Sequence, residues 1–127
     1  MNEHPYNLHE RTALFARDVR ILLRRLPRGI VTIEDIKQLT RSSGSIGANY
    51  LEANDGLGAK DTLFRFRISR KEAKESAFWL QLIDVGQSSE LERERSRLHN
   101  ESNQLVRILS AIINKIEMTK NQGSMSK

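Results

Sequence analysis

The chemistry that the sequence favours is phosphate binding, because basic side chains cluster at helical spacing in two segments. The candidate residues are Arg17, Arg20 and Arg24 in the first segment and Arg67, Arg70, Lys71 and Lys74 in the second. A guanidinium group binds phosphate oxygens through paired, charge-assisted hydrogen bonds. We therefore predict that these residues bind nucleic acid. The alternative is a solvated helix face that neighbouring acids such as Glu72 and Glu75 partly neutralise.

The sequence contains few of the residue patterns that catalytic sites need. Carboxylate-bridged metal sites in helical bundles need Glu-x-x-His on two helices. Here Glu72 precedes Glu75 and Glu52 precedes Asp55 at that spacing, but no Glu-x-x-His occurs. The serines of residues 42–45 have no nearby His–Asp pair, and the chain has no cysteine to act as a nucleophile or thiolate ligand. We predict no catalytic residue, no metal site and no cofactor.

The elements that carry these side chains read as helices. Apolar residues recur three and four positions apart, and no sustained period-two alternation indicates strands. The pattern predicts one domain, residues 1–127, with helices at about 8–26, 33–54, 61–85 and 89–119, and a disordered tail at 120–127. Thr32 is the expected N-cap of the second helix, and Ser88 or Ser89 that of the fourth. Short connections predict an all-α, antiparallel, up-down-up-down four-helix bundle.

The two middle helices carry stripes of small residues. Apolar or small side chains fall at positions 43, 46, 50 and 53 in one helix and at 66, 69, 73, 76, 80 and 83 in the next. Glycine inside a helix costs about 1 kcal/mol relative to alanine. Gly44 and Gly47 therefore indicate a close contact between these two helices, and the alternative is that the helix is simply weak here.

Several apolar residues lie outside the stripe that each helix needs for its own core. We predict that a subunit interface uses Leu14, Ile21, Phe64, Trp79 and Leu82, and Val106 and Ile113 are similarly placed. Trp79 is the best candidate anchor, because tryptophan is enriched at interface hot spots. The alternative is that these residues widen the core of a monomer.

Two blocks of this sequence resemble the 23S rRNA intervening-sequence protein family, whose members are often called four-helix bundle proteins. The first block is Ser42-Ser43-x-Ser45-Ile46-x-Ala48-Asn49-x-x-Glu52-Ala53. The second contains Phe66, Ile68, Arg70-Lys71-Glu72-Ala73-x-Glu75-Ser76 and Trp79-Leu80. The resemblance covers roughly residues 8–118 and implies an antiparallel four-helix bundle that assembles as a ring, typically a homopentamer. A more distant likeness by fold, to the accessory protein of diversity-generating retroelements, implies binding to nucleic acid and to a nucleic-acid-processing protein.

Charge and hydropathy complete the functional expectation. The net charge of +5 favours an anionic partner. No run approaches the roughly 18 apolar residues of a membrane span, and the N-terminal residues lack a signal-peptide pattern, so we expect a cytoplasmic protein. We predict a non-enzymatic oligomeric scaffold that binds RNA or DNA electrostatically through basic helix faces. The alternative is a protein–protein adaptor with no nucleic-acid role.

Overall fold

The computed structural model describes residues 7–56 and 58–125, with side chains described as far as residue 119. The described residues form four α-helices: α1 (Leu8–Arg24), α2 (Ile30–Asn54), α3 (Ala59–Leu82) and α4 (Ser89–Met125). Contacts join α1 to α2, α2 to α3, α3 to α4 and α1 to α4. The predicted all-α, antiparallel four-helix bundle is confirmed.

The helix ends differ from the sequence prediction by a few residues. Helix α2 begins at Ile30 after an N-cap at Gly29, and Thr32, the predicted cap, is buried inside the helix. Helix α4 begins as predicted, because the Ser88 hydroxyl accepts a hydrogen bond from the Leu91 N–H at 3.1 Å. Its end differs, since α4 continues through the predicted tail to Met125, and residues 126–127 lie outside the described residues.

The core lies between the four helices, and its residues recur at the spacing of three and four from which the helices were predicted. The α1 stripe is buried throughout and consists of Leu8, Thr12, Phe15, Val19, Leu22 and Leu26. In α4, Leu91, Leu98, Leu105 and Leu109 are also buried. Ile113, which the sequence placed partly outside the core, is only 1% exposed, whereas Ile112 and Ile116 are half-buried against the core.

Small residues bring α2 and α3 together as the stripes predicted. All six positions of the predicted stripe from residue 66 to residue 83 are buried, and Tyr50 of α2 packs against Phe66 with ring centroids 6.0 Å apart. The Ser69 hydroxyl donates to the Ile46 carbonyl at 2.8 Å, and the Ser76 hydroxyl donates to that of Ser42 at 3.0 Å. These buried hydroxyls are therefore satisfied, as burial of polar groups requires.

The two α2 glycines make a close helix contact, but with α1 rather than with α3. A Cβ atom at Gly47 would lie 2.8 Å from Thr12 Oγ1, and one at Gly44 would lie 3.2 Å from Arg20 Nη2. The prediction of a close contact is correct, while the predicted partner helix is wrong. The α2–α3 contact uses serines and alanines instead, whose side chains are small enough to be buried between the helices.

Candidate nucleic-acid interface and exposed apolar faces

The predicted basic residues form two separate surfaces. Helices α1 and α3 occupy diagonal corners of the bundle, and within the described chain their backbones do not come close to each other. Arg17, Arg20 and Arg24 therefore lie apart from the basic residues of α3. Within one protomer, a single phosphate backbone that follows one face cannot contact both sets along its length.

The α1 surface consists of Arg17, Arg20 and Arg24, which we call the α1 arginine row. Arg17 and Arg24 are exposed, and neither forms an ion pair with any residue the structure describes. Their side chains project on one side of α1, since the spacing of three and four places these positions on one strip of a helix. Arg17 and Arg24 can therefore contact phosphates without first breaking a salt bridge.

Arg20 is held in place by the groove between α1 and α2. Its Nη1 donates to the Ala16 carbonyl at 3.0 Å and to the Ser43 hydroxyl at 3.4 Å, and its Nη2 donates to the Thr40 carbonyl at 3.1 Å. Gly44 leaves the space in which this guanidinium lies. Because arginine has five N–H donors, Nε and one hydrogen of Nη2 remain available to a ligand.

Helix α2 adds one further basic group beside the row. Thr12 packs against Gly47, and Arg20 donates a hydrogen bond to the Thr40 carbonyl. Because α1 and α2 run antiparallel, these two contacts place Arg24 at the same height as the α2 turn that carries Lys37. Lys37 is exposed and contacts Glu34 at 3.5 Å. This register places Lys37 near the C-terminal end of the α1 arginine row.

The α3 surface is more neutralised than the sequence suggested. Arg67 pairs with Glu117 of α4, and the Lys71 ammonium lies 3.9 Å from the Glu75 carboxylate. Arg70 is half-buried and donates to the Ser110 hydroxyl at 3.4 Å. Lys74 is exposed and has no ion pair within the described part of the chain.

Four of the five predicted interface residues have substantially exposed side chains. Leu14 is 37% exposed, and Ile21, Phe64 and Leu82 are 50%, 55% and 50% exposed. Trp79 is half-buried against the core, a position consistent with either a core residue or an interface anchor.

The sequence analysis did not identify Phe78 as an exposed apolar residue. It is 53% exposed and lies edge-on to Trp79, with ring centroids 5.1 Å apart and an interplanar angle of 71°. Its spacing of four residues before Leu82, on the side opposite the α3 core stripe, is the signal that would have found it.

Salt bridges between helices also escaped the sequence analysis, because they depend on which helices are neighbours. Arg11 binds Glu101 through two hydrogen bonds of 2.7 and 3.0 Å, and this pair joins α1 to α4. Arg97 of α4 bonds both Asp18 of α1, at 3.1 Å, and Glu94. In these contacts, arginines stabilise the bundle rather than bind a ligand.

Arginines also lower the pKa values of the acids near the start of α4. Hydrogen bonds from Arg25, Arg95 and Arg97 lower the pKa values of Glu90, Glu92 and Glu94, respectively. The pKa of Arg97 is raised, chiefly by its hydrogen bond with Glu94. All of these carboxylates are therefore ionised at neutral pH.

Arg41 of α2 bridges two acids of α3. It lies 3.4 Å from Glu72 and 3.1 Å from Glu75. Glu72 is only 7% exposed, and its Oε1 accepts no hydrogen bond.

Among the residues that the structure describes, no group of three or more His, Asp or Glu side chains is arranged to hold a metal ion.

None of the described helices combines the length and the apolar character needed to cross a membrane.

Comparison with known proteins supports the resemblance seen in the sequence. No protein-family model matches the chain. No curated protein matches it either. A similar solved structure is that of a protein of unknown function from the S23 ribosomal protein family of Bacteroides thetaiotaomicron. It has a TM-score of 0.71 and 26% sequence identity, covering 84% of this chain and 98% of that one. The predicted likeness to the 23S rRNA intervening-sequence family is confirmed by this match.

Proposed function

We propose that this protein is a non-enzymatic, self-associating scaffold that binds RNA or DNA through the α1 arginine row. The observation that carries the proposal is the exposure of Arg17 and Arg24 without an ion-pair partner in the described residues. Arg25 and Arg67, which are also exposed, are paired with glutamates. Other exposed arginines without an ion pair among the described residues, Arg28, Arg93 and Arg107, are not spaced three or four residues apart on one helix as those of the row are. The row therefore concentrates positive charge that no acid neutralises on one strip of α1, where a polyanion can reach it.

The proposed binding is electrostatic rather than sequence-reading. An exposed row of arginines on one helix contacts phosphates, and phosphate contacts carry no direct sequence information. Binding then releases counterions, and the affinity falls steeply with salt. RNA is the first ligand to test, because the similar solved structure belongs to a family named for a ribosomal protein.

The test is a titration of labelled single-stranded and duplex RNA and DNA between about 50 and 200 mM salt. We expect binding at low salt that is lost at high salt, and the double variant Arg17→Glu/Arg24→Glu should not bind at either. The double variant Lys60→Glu/Lys115→Glu, with the same change in net charge at other exposed positions, is the matched control. Equal loss of binding in both variants would show that only the net charge matters and would refute a site on α1.

The second candidate function is a protein–protein adaptor, and a specific observation favours it. Exposed apolar side chains occur on both α1 and α3, including Leu14, Ile21 and Phe64. Apolar docking is insensitive to salt, so a partner retained at high salt would favour the adaptor. A nucleic-acid-processing protein is a partner consistent with both functions. The predicted homopentameric ring stays a prediction.

A further inference from the structure

The side of α2 that faces α1 is not covered along its whole length. Its positions, spaced three and four residues apart on one strip of the helix, are 47, 44, 40, 37, 33 and 30. Gly47 and Thr40 contact residues of α1 directly. Helix α1 ends at Arg24, which is level with the turn that carries Lys37, so α1 does not extend over the last two positions of the strip.

Both uncovered positions carry isoleucine, and we call Ile30 and Ile33 the isoleucine pair. Ile33 is 41% exposed and Ile30 is 87% exposed, so exposure rises with distance from the end of α1. The connection between the two helices leaves the pair open. It crosses the end of the bundle toward the connection between α3 and α4, where the ring of Pro27 lies close to Gly86.

The isoleucine pair continues the surface that the α1 arginine row begins. Arg24 is level with Lys37, and Ile30 lies about 10 Å further along α2, at about 1.5 Å of helix per residue. Arg24 and Arg28 are exposed and have no ion pair among the described residues. Glu34 lies beside the pair, where it contacts Lys37 at 3.5 Å, so these two charges offset each other. A polymer whose phosphates follow the row therefore meets apolar side chains next.

We propose that the α1 arginine row and the isoleucine pair together bind an unpaired strand of RNA or DNA in preference to a duplex. The arginines bind the phosphates of the strand, and the bases of the next nucleotides pack on Ile30 and Ile33. This preference rests on the proposed nucleic-acid role, and it adds the class of strand that the surface selects.

An unpaired strand offers the isoleucine pair a surface that a duplex lacks. The ring faces of unpaired bases are accessible to side chains. Packing such a face against isoleucine removes apolar area from water, which is favourable. In a duplex the same ring faces are stacked inside the double helix, so the pair meets only sugars, phosphates and base edges. The pair therefore strengthens binding to an unpaired strand more than binding to a duplex.

The continuity of the row and the isoleucine pair favours one ligand for both. Each nucleotide joins an anionic phosphate to a flat base with apolar faces, so one polymer matches the adjacent basic and apolar parts of this surface. A protein that covered only the isoleucine pair would have no need of the unpaired arginines beside it. Contacts of this kind also read no sequence, in keeping with electrostatic binding, because every base has such a face.

Three matched probes test the preference: a mixed-sequence single strand, its duplex, and a single strand of equal length with abasic nucleotides. The abasic strand keeps the phosphates and lacks the bases, so we expect wild-type protein to bind it about fivefold or more weakly than the base-bearing strand. The variant Ile30→Ser/Ile33→Ser should bind the two single strands alike, and its ratio of single-strand to duplex affinity should fall by a similar factor. Its salt dependence should match that of the wild type, because the phosphate contacts are unchanged.

Leu51→Ser/Met118→Ser makes the same kind of change at two other exposed positions and is the matched control, which should keep the wild-type ratios. Circular dichroism and the mass in solution accompany the titrations. Equal wild-type binding of base-bearing and abasic strands, or a preference that survives in the isoleucine variant, would overturn the strand preference and leave the proposed function standing. A change of mass in the isoleucine variant would place the pair in a subunit contact and overturn it as well. Wild-type protein that binds none of the probes would remove the proposed function too.

Discussion

At the scale of single residues, the two α2 glycines serve unequal purposes. Gly47 lies against the backbone and side chain of Thr12, where an added Cβ atom has no space. Gly44 lies beneath the end of the Arg20 side chain, which is long and can shift. One glycine therefore sets the distance between α1 and α2, whereas the other leaves room for a guanidinium.

Alanine at each glycine should separate these roles. Gly44→Ala gains about 1 kcal/mol of helix propensity. The Arg20 guanidinium has to yield by only a few tenths of an ångström and can keep its hydrogen bonds, so we expect the free energy of unfolding to rise. Gly47→Ala gains the same propensity but must push Thr12 away, and overpacking of this kind costs about 1–3 kcal/mol. Urea unfolding of both variants measures the difference.

A second substitution checks the cause assigned to Gly47. Thr12→Ala removes the hydroxyl that the methyl group introduced by Gly47→Ala would meet. In that background, Gly47→Ala should cost much less, because the two positions are in contact and their effects are not additive. An unchanged cost would place the strain somewhere other than the contact with Thr12.

At the scale of elements, most polar contacts between α4 and the neighbouring helices are made by arginine side chains. Arg97 joins Asp18 of α1, and Arg95 bonds Glu92 and also donates to the Leu80 carbonyl of α3 at 3.2 Å. Arg25 of the α1 C-cap pairs with Glu90. The first turns of α4 are thus held by arginine contacts to both adjacent helices, beyond the apolar stripe that runs along the core.

These ion pairs predict an acid-sensitive bundle. The pKa values of Glu90, Glu92 and Glu94 are lowered in the folded state, so protons bind more readily to the unfolded chain, where glutamate has a pKa of about 4.3. The free energy of unfolding should therefore be constant from neutral pH to about 5 and fall as the pH drops through the lower folded values.

Removing one arginine should weaken this dependence. Arg97→Gln returns the pKa of Glu94 toward its ordinary value, so the loss of stability on acidification becomes smaller. Arg107→Gln, at an exposed position of the same helix, is the control. Urea unfolding at a series of pH values provides the slopes, and equal slopes in the two variants would contradict the role of Arg97.

At the scale of the whole molecule, the sequence predicted the fold better than the site. Helical periodicity identified each core stripe, including the serines and alanines buried between α2 and α3, because burial follows directly from spacing. Spacing within a helix does not reveal which helices are neighbours. For that reason Gly44 and Gly47 were assigned to the wrong contact, and the pairing of Arg67 with Glu117 of α4 was not predicted.

The placement of α1 and α3 at diagonal corners affects how an assembly would handle a polymer. If two subunits contact each other through the exposed apolar residues of α3, their α1 arginine rows face away from that contact. One short strand cannot reach both rows, so tight binding to it gains nothing from the second copy. Two separate strands, or distant parts of one long strand, can each occupy a row, and the effective concentration between the rows then favours bridging. Such an assembly would crosslink and compact long nucleic acid rather than clamp a short one.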